Sequence, residues 1–278
     1  MIDESNGTMV GSRLRKVGRV LGKLYSPGFG FLLLLVTYVP IILVIMFSLN
    51  ESVIAAFPLS KFSLTWYQEL FQNRSIMVAF RNTLIIGFGA VGGSLIIGVT
   101  AAFLLHRYKF PLSGFYNVVI LLPFLLPGIF TGLALLLFFS WVGIPKSLFT
   151  VFIGHVVFCT AVVFKTVLAR LMVVRRSLEE ASYDLGANST QTFFYVILPN
   201  IRNALLTGSL LAFVLSFDET LITFFVIGAQ LTLPLKIWAM MRAKFTPQVH
   251  ALASLVFLTS TLIIIISSKY ILGREAKT

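Results

Sequence analysis

The chain has 278 residues, of which 58% are hydrophobic and only 12% are charged, and its formal net charge is +12. A soluble domain normally carries about a quarter charged residues, so this composition excludes an ordinary soluble globular protein. The basic residues form no single patch and no recognised nucleic-acid motif accompanies them, so nucleic acid is not an expected partner.

Six apolar stretches predict transmembrane helices. Each contains roughly the 20 apolar residues that cross a ~30 Å hydrocarbon core as a helix. Lipid offers no hydrogen-bond partner to exposed backbone, so the predicted fold class is all-α, a polytopic membrane protein. In chain order the predicted spans are Phe29–Leu49, Ala79–Leu105, Phe115–Trp141, Phe149–Ala169, Asn203–Ile227 and Ala251–Leu272.

The distribution of basic residues predicts the orientation of the spans. When residues 1–28 are placed in the cytoplasm as a basic N-terminal segment, 15 of the 22 lysines and arginines fall inside and 7 outside. This asymmetry is the positive-inside bias of membrane proteins. The sequence therefore predicts a transmembrane domain over residues 29–272, a cytoplasmic tail over residues 273–278 and both ends in the cytoplasm.

After the first span, Trp66 and Tyr67 lie in the stretch WYQEL, which is typical of a short helix at the membrane interface. Such a helix would anchor the protein or shape an external gate. The second span contains five glycines, which favour close approach of neighbouring helices. These glycines are Gly87, Gly89, Gly92, Gly93 and Gly98.

The third span contains two prolines, Pro123 and Pro127, in the stretch LLPFLLPGIF. Proline lacks a backbone N–H, so both residues are expected to break or bend this span. Such a bend is tolerated where other helices or a cavity satisfy the freed carbonyl groups. A bend that lines a pathway and a purely structural bend are both consistent with the sequence.

The longest polar stretch follows the fourth span and begins with Ser177-Leu-Glu-Glu180. This pattern fits a capping box, in which the Ser177 hydroxyl and the Glu180 carboxylate satisfy early backbone donors of a short helix. An apolar face of that helix is expected from the spacing of Leu178, Ala181 and Leu185. Gly186 is suited to end the helix in the left-handed conformation.

A second short helix is expected through Thr192–Ile197, capped by Asn188 and Ser189, before Pro199 sets up the next span. The predicted product is a helix, a glycine hinge and a second helix on the cytoplasmic side. From local chemistry alone, a plain amphipathic loop explains the same residues equally well.

The residues Glu180-Ala181-Ser182, then Gly186, then Val196-x-Leu198-Pro199 resemble the EAA signature of the membrane subunits of bacterial ABC importers. Ser182 replaces the second alanine of the signature and Val196 replaces an isoleucine. The resemblance implies a six-span permease of the type I ABC importer kind in the bacterial inner membrane. It also implies that segment 177–199, between spans four and five, forms coupling helices that dock on an ATPase subunit.

The resemblance also implies the partners and cofactors of the chain. This chain is expected to bind no cofactor or metal and to have no catalytic centre, because ATP and Mg²⁺ would bind to two separate ATPase subunits. A second, non-identical permease, a periplasmic substrate-binding protein and membrane lipid are the other expected partners. The residues implied to couple to the ATPase are Glu179, Glu180, Ala181, Asp184, Gly186, Leu198 and Pro199.

Two further stretches, Phe213–Gly228 and Leu233–Ser254, resemble the second permease chain of spermidine/putrescine importers. This resemblance implies a polyamine substrate, although importers of ferric iron, sulfate or another small solute share parts of the layout. A secondary carrier with ion-coupling carboxylates is the alternative from a different class.

Asp218 and Glu219 stand inside the predicted fifth span, where an ionisable side chain is costly unless it faces a partner or a wet cavity. Phe217 and Trp238 are aromatic residues that could stabilise the ammonium groups of a polycation passing these carboxylates. Adjacent helical residues point about 100° apart, so only one carboxylate is expected to face the pathway. The alternative is an ion pair with Lys236, Arg242 or a partner chain.

Phe225–Gln248 is expected to lie outside or to dip into the membrane between spans five and six. Its basic residues Lys236, Arg242 and Lys244 would either meet the binding protein or remain solvated charges.

Overall fold

The computed structural model describes residues 27–54, 56–108, 110–243 and 246–275. The predictions for the basic N-terminal segment, for Lys244 and for the last residues of the tail lie outside these ranges. The described residues form helices, with one isolated antiparallel bridge between Asn50 and Phe62, so the all-α prediction is confirmed.

In chain order, the first six helices are α1 (Pro27–Ser48), α2 (Thr65–Gln72), α3 (Arg74–Arg107), α4 (Ser113–Leu125), α5 (Gly128–Val142) and α6 (Leu148–Leu171). The next are α7 (Arg176–Asp184), α8 (Ser189–Gln191), a π-helix (Thr192–Ile197) and α9 (Leu198–Asp218). The last three are α10 (Leu221–Val226), α11 (Leu233–Ala243) and α12 (Pro247–Glu275).

Among the described residues, four helices are long and apolar enough to cross a membrane, and the bent pair α4 and α5 would make a fifth. These four are Gly28–Ser48, Arg74–Arg107, Leu148–Leu171 and Ser189–Asp218. The predicted sixth span, Ala251–Leu272, falls within α12. The protein is therefore multi-pass, and the count of six spans stays a prediction.

The chain divides into two compact units, and the smaller comprises Met1–Glu69 and Thr246–Leu258. The predicted helix around WYQEL is confirmed as α2, and its residues Thr65–Glu69 lie in this unit. Trp66 donates its indole N–H to the Asn50 carbonyl at 2.7 Å, and Tyr67 shares a 2.7 Å hydrogen bond with Ser48. Both aromatic residues are partly buried, so their polar tips stabilise the unit itself.

The larger unit comprises Leu70–Phe245 and Thr259–Thr278, and its centre is the packing of α3 against α6. Glycine permits this close approach: a methyl group added at Gly98 would lie 2.9 Å from Val163 Cγ1 and 3.0 Å from the Phe164 nitrogen. One added at Gly93 would lie 2.7 Å from Val156. The expected small-residue face is confirmed at these glycines, whereas Gly92 has no heavy atom within 4 Å of the added methyl.

The third predicted span is broken, as expected, and its halves α4 and α5 meet at an angle of 104°. The break falls at Pro127, whereas α4 continues through Pro123, so only one of the two prolines ends a helix. Pro127 has no N–H to donate to the carbonyl of Pro123 four residues earlier. The Thr131 hydroxyl donates to that carbonyl instead, at 3.3 Å.

The fifth predicted span, Asn203–Ile227, was wrong as a continuous helix, because α9 ends at Asp218 and α10 begins at Leu221. Polar side chains supply the hydrogen bonds that the backbone loses at this break. The Glu219 carboxylate accepts from the Ile222 N–H at 2.9 Å, and the Thr223 hydroxyl donates to the Glu219 carbonyl at 2.8 Å. Periodicity gave no sign of the break, since both sides of it are apolar.

Candidate functional site

The first helix of the polar segment, α7, begins two residues earlier than predicted. Its N-cap position is Arg175, and no side chain caps it, so the predicted capping box of Ser177 and Glu180 is wrong. The Glu180 carboxylate lies instead 3.6 Å from Arg176 in an exposed ion pair. Such exposed pairs contribute little to stability.

The predicted glycine hinge is confirmed. Gly186 has a φ of +83° and ends α7, with its N–H donating to the Tyr183 carbonyl at 2.9 Å. Asn188 caps α8 as expected, because its carboxamide accepts from the Gln191 N–H and the Gln191 side chain accepts from the Asn188 N–H. A helix, a reversal and a second helix therefore follow one another over segment 177–199.

The second helix does not end before the next span. The π-helix Thr192–Ile197 runs directly into α9, and Pro199, the second residue of α9, has no N–H to donate to the preceding turn. Leu198 is half-buried and Pro199 is exposed. Residues Ser189–Asp218 thus form one long apolar helix that joins the hinge to the membrane domain.

Glu179 faces its own chain. It is 6% exposed and forms an ion pair with Arg107, the last residue of α3. The same guanidinium donates to the Tyr183 hydroxyl at 3.0 Å and lies 5.6 Å from the centroid of the Tyr183 ring. A hydrogen bond with Ser189, assisted by the charge of Arg107, lowers the pKa of the Tyr183 phenol from its ordinary value.

A neighbouring face of α7 is exposed and apolar. Leu178, Ala181 and Leu185 all lie on the surface, and the Leu185 side chain at the reversal is 89% exposed. The acidic residues Glu180 and Asp184 are also exposed. A projecting apolar tip with charged neighbours is typical of a surface that another protein covers.

The two candidate pathway carboxylates differ in their surroundings. Glu219 is half-buried, and its Oε1 would lie 3.4 Å from a methyl group added at Gly128, the first residue of α5. The two helix breaks of the larger unit therefore meet at this carboxylate. Asp218 is exposed, and its carboxylate has no hydrogen bond or ion pair with the part of the chain that the structure describes.

His155 holds the two sides of the break after α9 together. This buried residue of α6 hydrogen-bonds Ser216 through Nδ1 at 2.7 Å and Thr223 through Nε2 at 2.8 Å. Ser216 precedes the break and Thr223 follows it. Sequence reasoning missed this role because the partners stand 61 and 68 residues away and no spacing pattern connects them.

The two aromatic candidates are also described. Phe217 packs against Phe213, with ring centroids 6.0 Å apart. Trp238 is 48% exposed, and the Arg242 guanidinium lies 5.1 Å from its ring centroid, so a cation of the chain itself already occupies one face of this ring. Neither Lys236 nor Arg242 forms an ion pair with a carboxylate among the described residues.

Several apolar helices of membrane length indicate an integral membrane protein. The chain belongs to the family described as "Binding-protein-dependent transport system inner membrane component", which matches residues 94–274.

Two curated relatives match most of the chain. The putrescine transport system permease protein PotI of Escherichia coli (strain K12) is 36% identical over 237 residues, which cover 82% of each protein. The spermidine/putrescine transport system permease protein PotC of Haemophilus influenzae is 31% identical over 242 residues, which cover 86% of this chain and 93% of PotC.

Among solved structures, the fold is similar to a chain of a bacterial ABC transporter involved in the import of the acidic polysaccharide alginate. The TM-score is 0.67 at 19% identity, and the match covers 94% of this chain and 97% of the other. This likeness confirms the predicted permease fold.

Proposed function

We propose that this chain is the permease subunit of an ATP-driven importer for polyamines such as putrescine and spermidine. Its similarity to PotI and PotC over most of its length supports both the class of transporter and the class of substrate. The transmembrane domain over residues 29–272 forms the pathway in the bacterial inner membrane, with both ends of the chain in the cytoplasm.

Segment 177–199 couples this pathway to ATP. The observation that carries the proposal is the exposed apolar face of Leu178, Ala181 and Leu185 on a helix whose other face is fixed to the chain by Glu179. ATP and Mg²⁺ bind to two separate ATPase subunits, one of which covers this face. A second, non-identical permease, membrane lipid and a periplasmic binding protein complete the assembly.

Of the two carboxylates, Asp218 is the one that meets the substrate. The Glu219 carboxylate already accepts a hydrogen bond from the first turn of α10, whereas Asp218 is exposed at the end of α9. An exposed carboxylate at membrane depth is unfavourable against lipid, so Asp218 faces a wet pathway or the second permease. There it attracts the ammonium groups of a polyamine, with Phe217 and Trp238 as aromatic neighbours in the pathway.

The test is uptake of radiolabelled putrescine by cells whose own polyamine importers are deleted. The Asp218→Asn variant is expected to lose about 10- to 100-fold in uptake, because a hydrogen bond to a charged group contributes about 1.5–3 kcal/mol. The amount of assembled complex is expected to stay unchanged. Glu51→Gln is the matched control, because it removes an exposed carboxylate that is not assigned to the pathway.

Uptake at the wild-type rate by Asp218→Asn would contradict the assignment of this residue. A wild-type complex that takes up neither putrescine nor spermidine would contradict the proposed substrate.

A further inference from the structure

Arg107 connects two helices that are far apart in sequence. It ends α3, and its guanidinium binds both Glu179 and Tyr183, which lie one turn apart on α7. The Arg107 side chain is 31% exposed and that of Glu179 is 8% exposed, so water screens this pair only partly. One side chain thus fixes the position of α7 on the end of α3.

Burial distinguishes this ion pair from the other pair in the segment. Arg176 and Glu180 have side chains that are 87% and 66% exposed, so they remain accessible to a partner protein. Glu179 is covered by its own chain and cannot contribute to a docking surface. Removal of Arg107 would leave a buried carboxylate without a counter-charge, which is strongly unfavourable.

A second connection lies one turn away on α3. Phe103 packs edge-to-face against Phe193 of the π-helix, with ring centroids 5.4 Å apart. Thr192 of the same π-helix shares a buried 2.7 Å hydrogen bond with Ser182 of α7. Both α7 and the π-helix of segment 177–199 are therefore attached to the last two turns of α3.

Helix α3 can transmit a displacement because it is packed closely against α6 around Gly93 and Gly98. The contacts of Gly93 and Gly98 with α6 leave no room for a methyl group without movement of the neighbours. A shift of α7 would therefore move α3 and α6 together rather than bend the end of α3 alone.

We propose that Arg107 is a positioning residue for energy coupling, which joins α7 to α3 through Glu179 and Tyr183 so that movement of the docked ATPase moves the membrane helices. This inference rests on the proposed coupling role of segment 177–199. It goes beyond that role by naming the contact through which the movement passes and the span that receives it.

The test uses the whole complex in lipid nanodiscs and measures amide hydrogen exchange with and without ATP and vanadate. In the wild type, nucleotide is expected to change exchange in both α7 and the last two turns of α3. In Glu179→Gln and Arg107→Gln, the change is expected in α7 only. This readout does not depend on the identity of the transported solute.

The same variants are then compared in proteoliposomes by the number of putrescine molecules transported per ATP hydrolysed. Both single variants are expected to lower this ratio by about fivefold or more, in the range of usual coupling free energies. The charge-reversed double variant Arg107→Glu with Glu179→Arg restores the pair and is expected to recover most of the ratio. Arg202→Gln, which removes an exposed arginine outside segment 177–199, is the control.

Arg107→Lys covers the case in which the glutamine variants do not assemble. Lysine keeps the charge but cannot bind Glu179 and Tyr183 as a planar fork, so this variant is expected to assemble and still lower the ratio. A nucleotide response of α3 equal to the wild type in the single variants, or in Arg107→Lys if only that variant assembles, would overturn the inference. A complex that contains no ATPase would overturn the proposed function as well.

Discussion

Gly186 lies at the turn between α7 and α8 in segment 177–199. A methyl group added there has no heavy atom within 4 Å, so space does not require glycine, whereas the φ of +83° does. An L-residue in this left-handed conformation costs about 1–2 kcal/mol, and asparagine tolerates it better than alanine does. Proline cannot adopt it, because its ring fixes φ near −65°.

We therefore expect ATP-dependent putrescine uptake to fall from the wild type through Gly186→Asn and Gly186→Ala to Gly186→Pro. The Gly186→Asn variant is expected to be close to the wild type and the Gly186→Pro variant to be inactive. The amount of ATPase that co-purifies with each variant shows whether docking is lost. Wild-type uptake by Gly186→Pro would contradict the role assigned to this reversal.

At the scale of residues, the sequence predicted the local features that depend on residues adjacent in the chain. The left-handed Gly186 and the cap at Asn188 follow from local backbone chemistry, and both are confirmed. The role of Glu179 was not predicted, because its partner Arg107 stands 72 residues away. The capping box at Ser177 was wrong because α7 begins at Arg176, which places Ser177 inside the helix.

At the scale of elements, α3 and α6 approach closely where glycine removes a side chain. Gly98 and Gly92 lie on the same helix but differ in surroundings, since only Gly98 contacts α6. The two residues therefore form a matched pair for testing whether this contact stabilises the membrane domain.

We expect Gly98→Ala to destabilise the domain by about 1–3 kcal/mol, the usual cost of overpacking a close contact. Gly92→Ala is expected to leave stability unchanged, because the added methyl group meets no neighbour. Thermal unfolding of the purified complex in detergent measures both. Equal melting temperatures for the two variants would contradict the expectation that the contact of α3 with α6 at Gly98 stabilises the domain.

The sequence predicted where the apolar helices lie but not every point at which they are interrupted. Pro127 marks the break after α4 because proline removes a donor, and this signal is local. The break after Asp218 depends on Glu219, Thr223 and His155, whose hydrogen bonds replace those of the backbone. Two of these three residues are near the break in sequence, but the third reaches it from α6.

At the scale of the whole molecule, composition alone indicated a multi-pass membrane protein, and the EAA-like segment indicated its class. The family match over residues 94–274 confirms that class. In the proposed assembly, a binding protein and a second permease would share in substrate specificity. The class of substrate is therefore inferred from the relatives of this chain and from Asp218.

The most direct measurement of the central claim is the ATPase rate of the complex that co-purifies with this chain, reconstituted with its binding protein. The account predicts that putrescine or spermidine raises this rate in the wild type and leaves it unchanged in Gly186→Pro. A rate in the wild type that is the same with and without polyamine would contradict the proposed substrate. The absence of any co-purifying ATPase would contradict the proposed coupling itself.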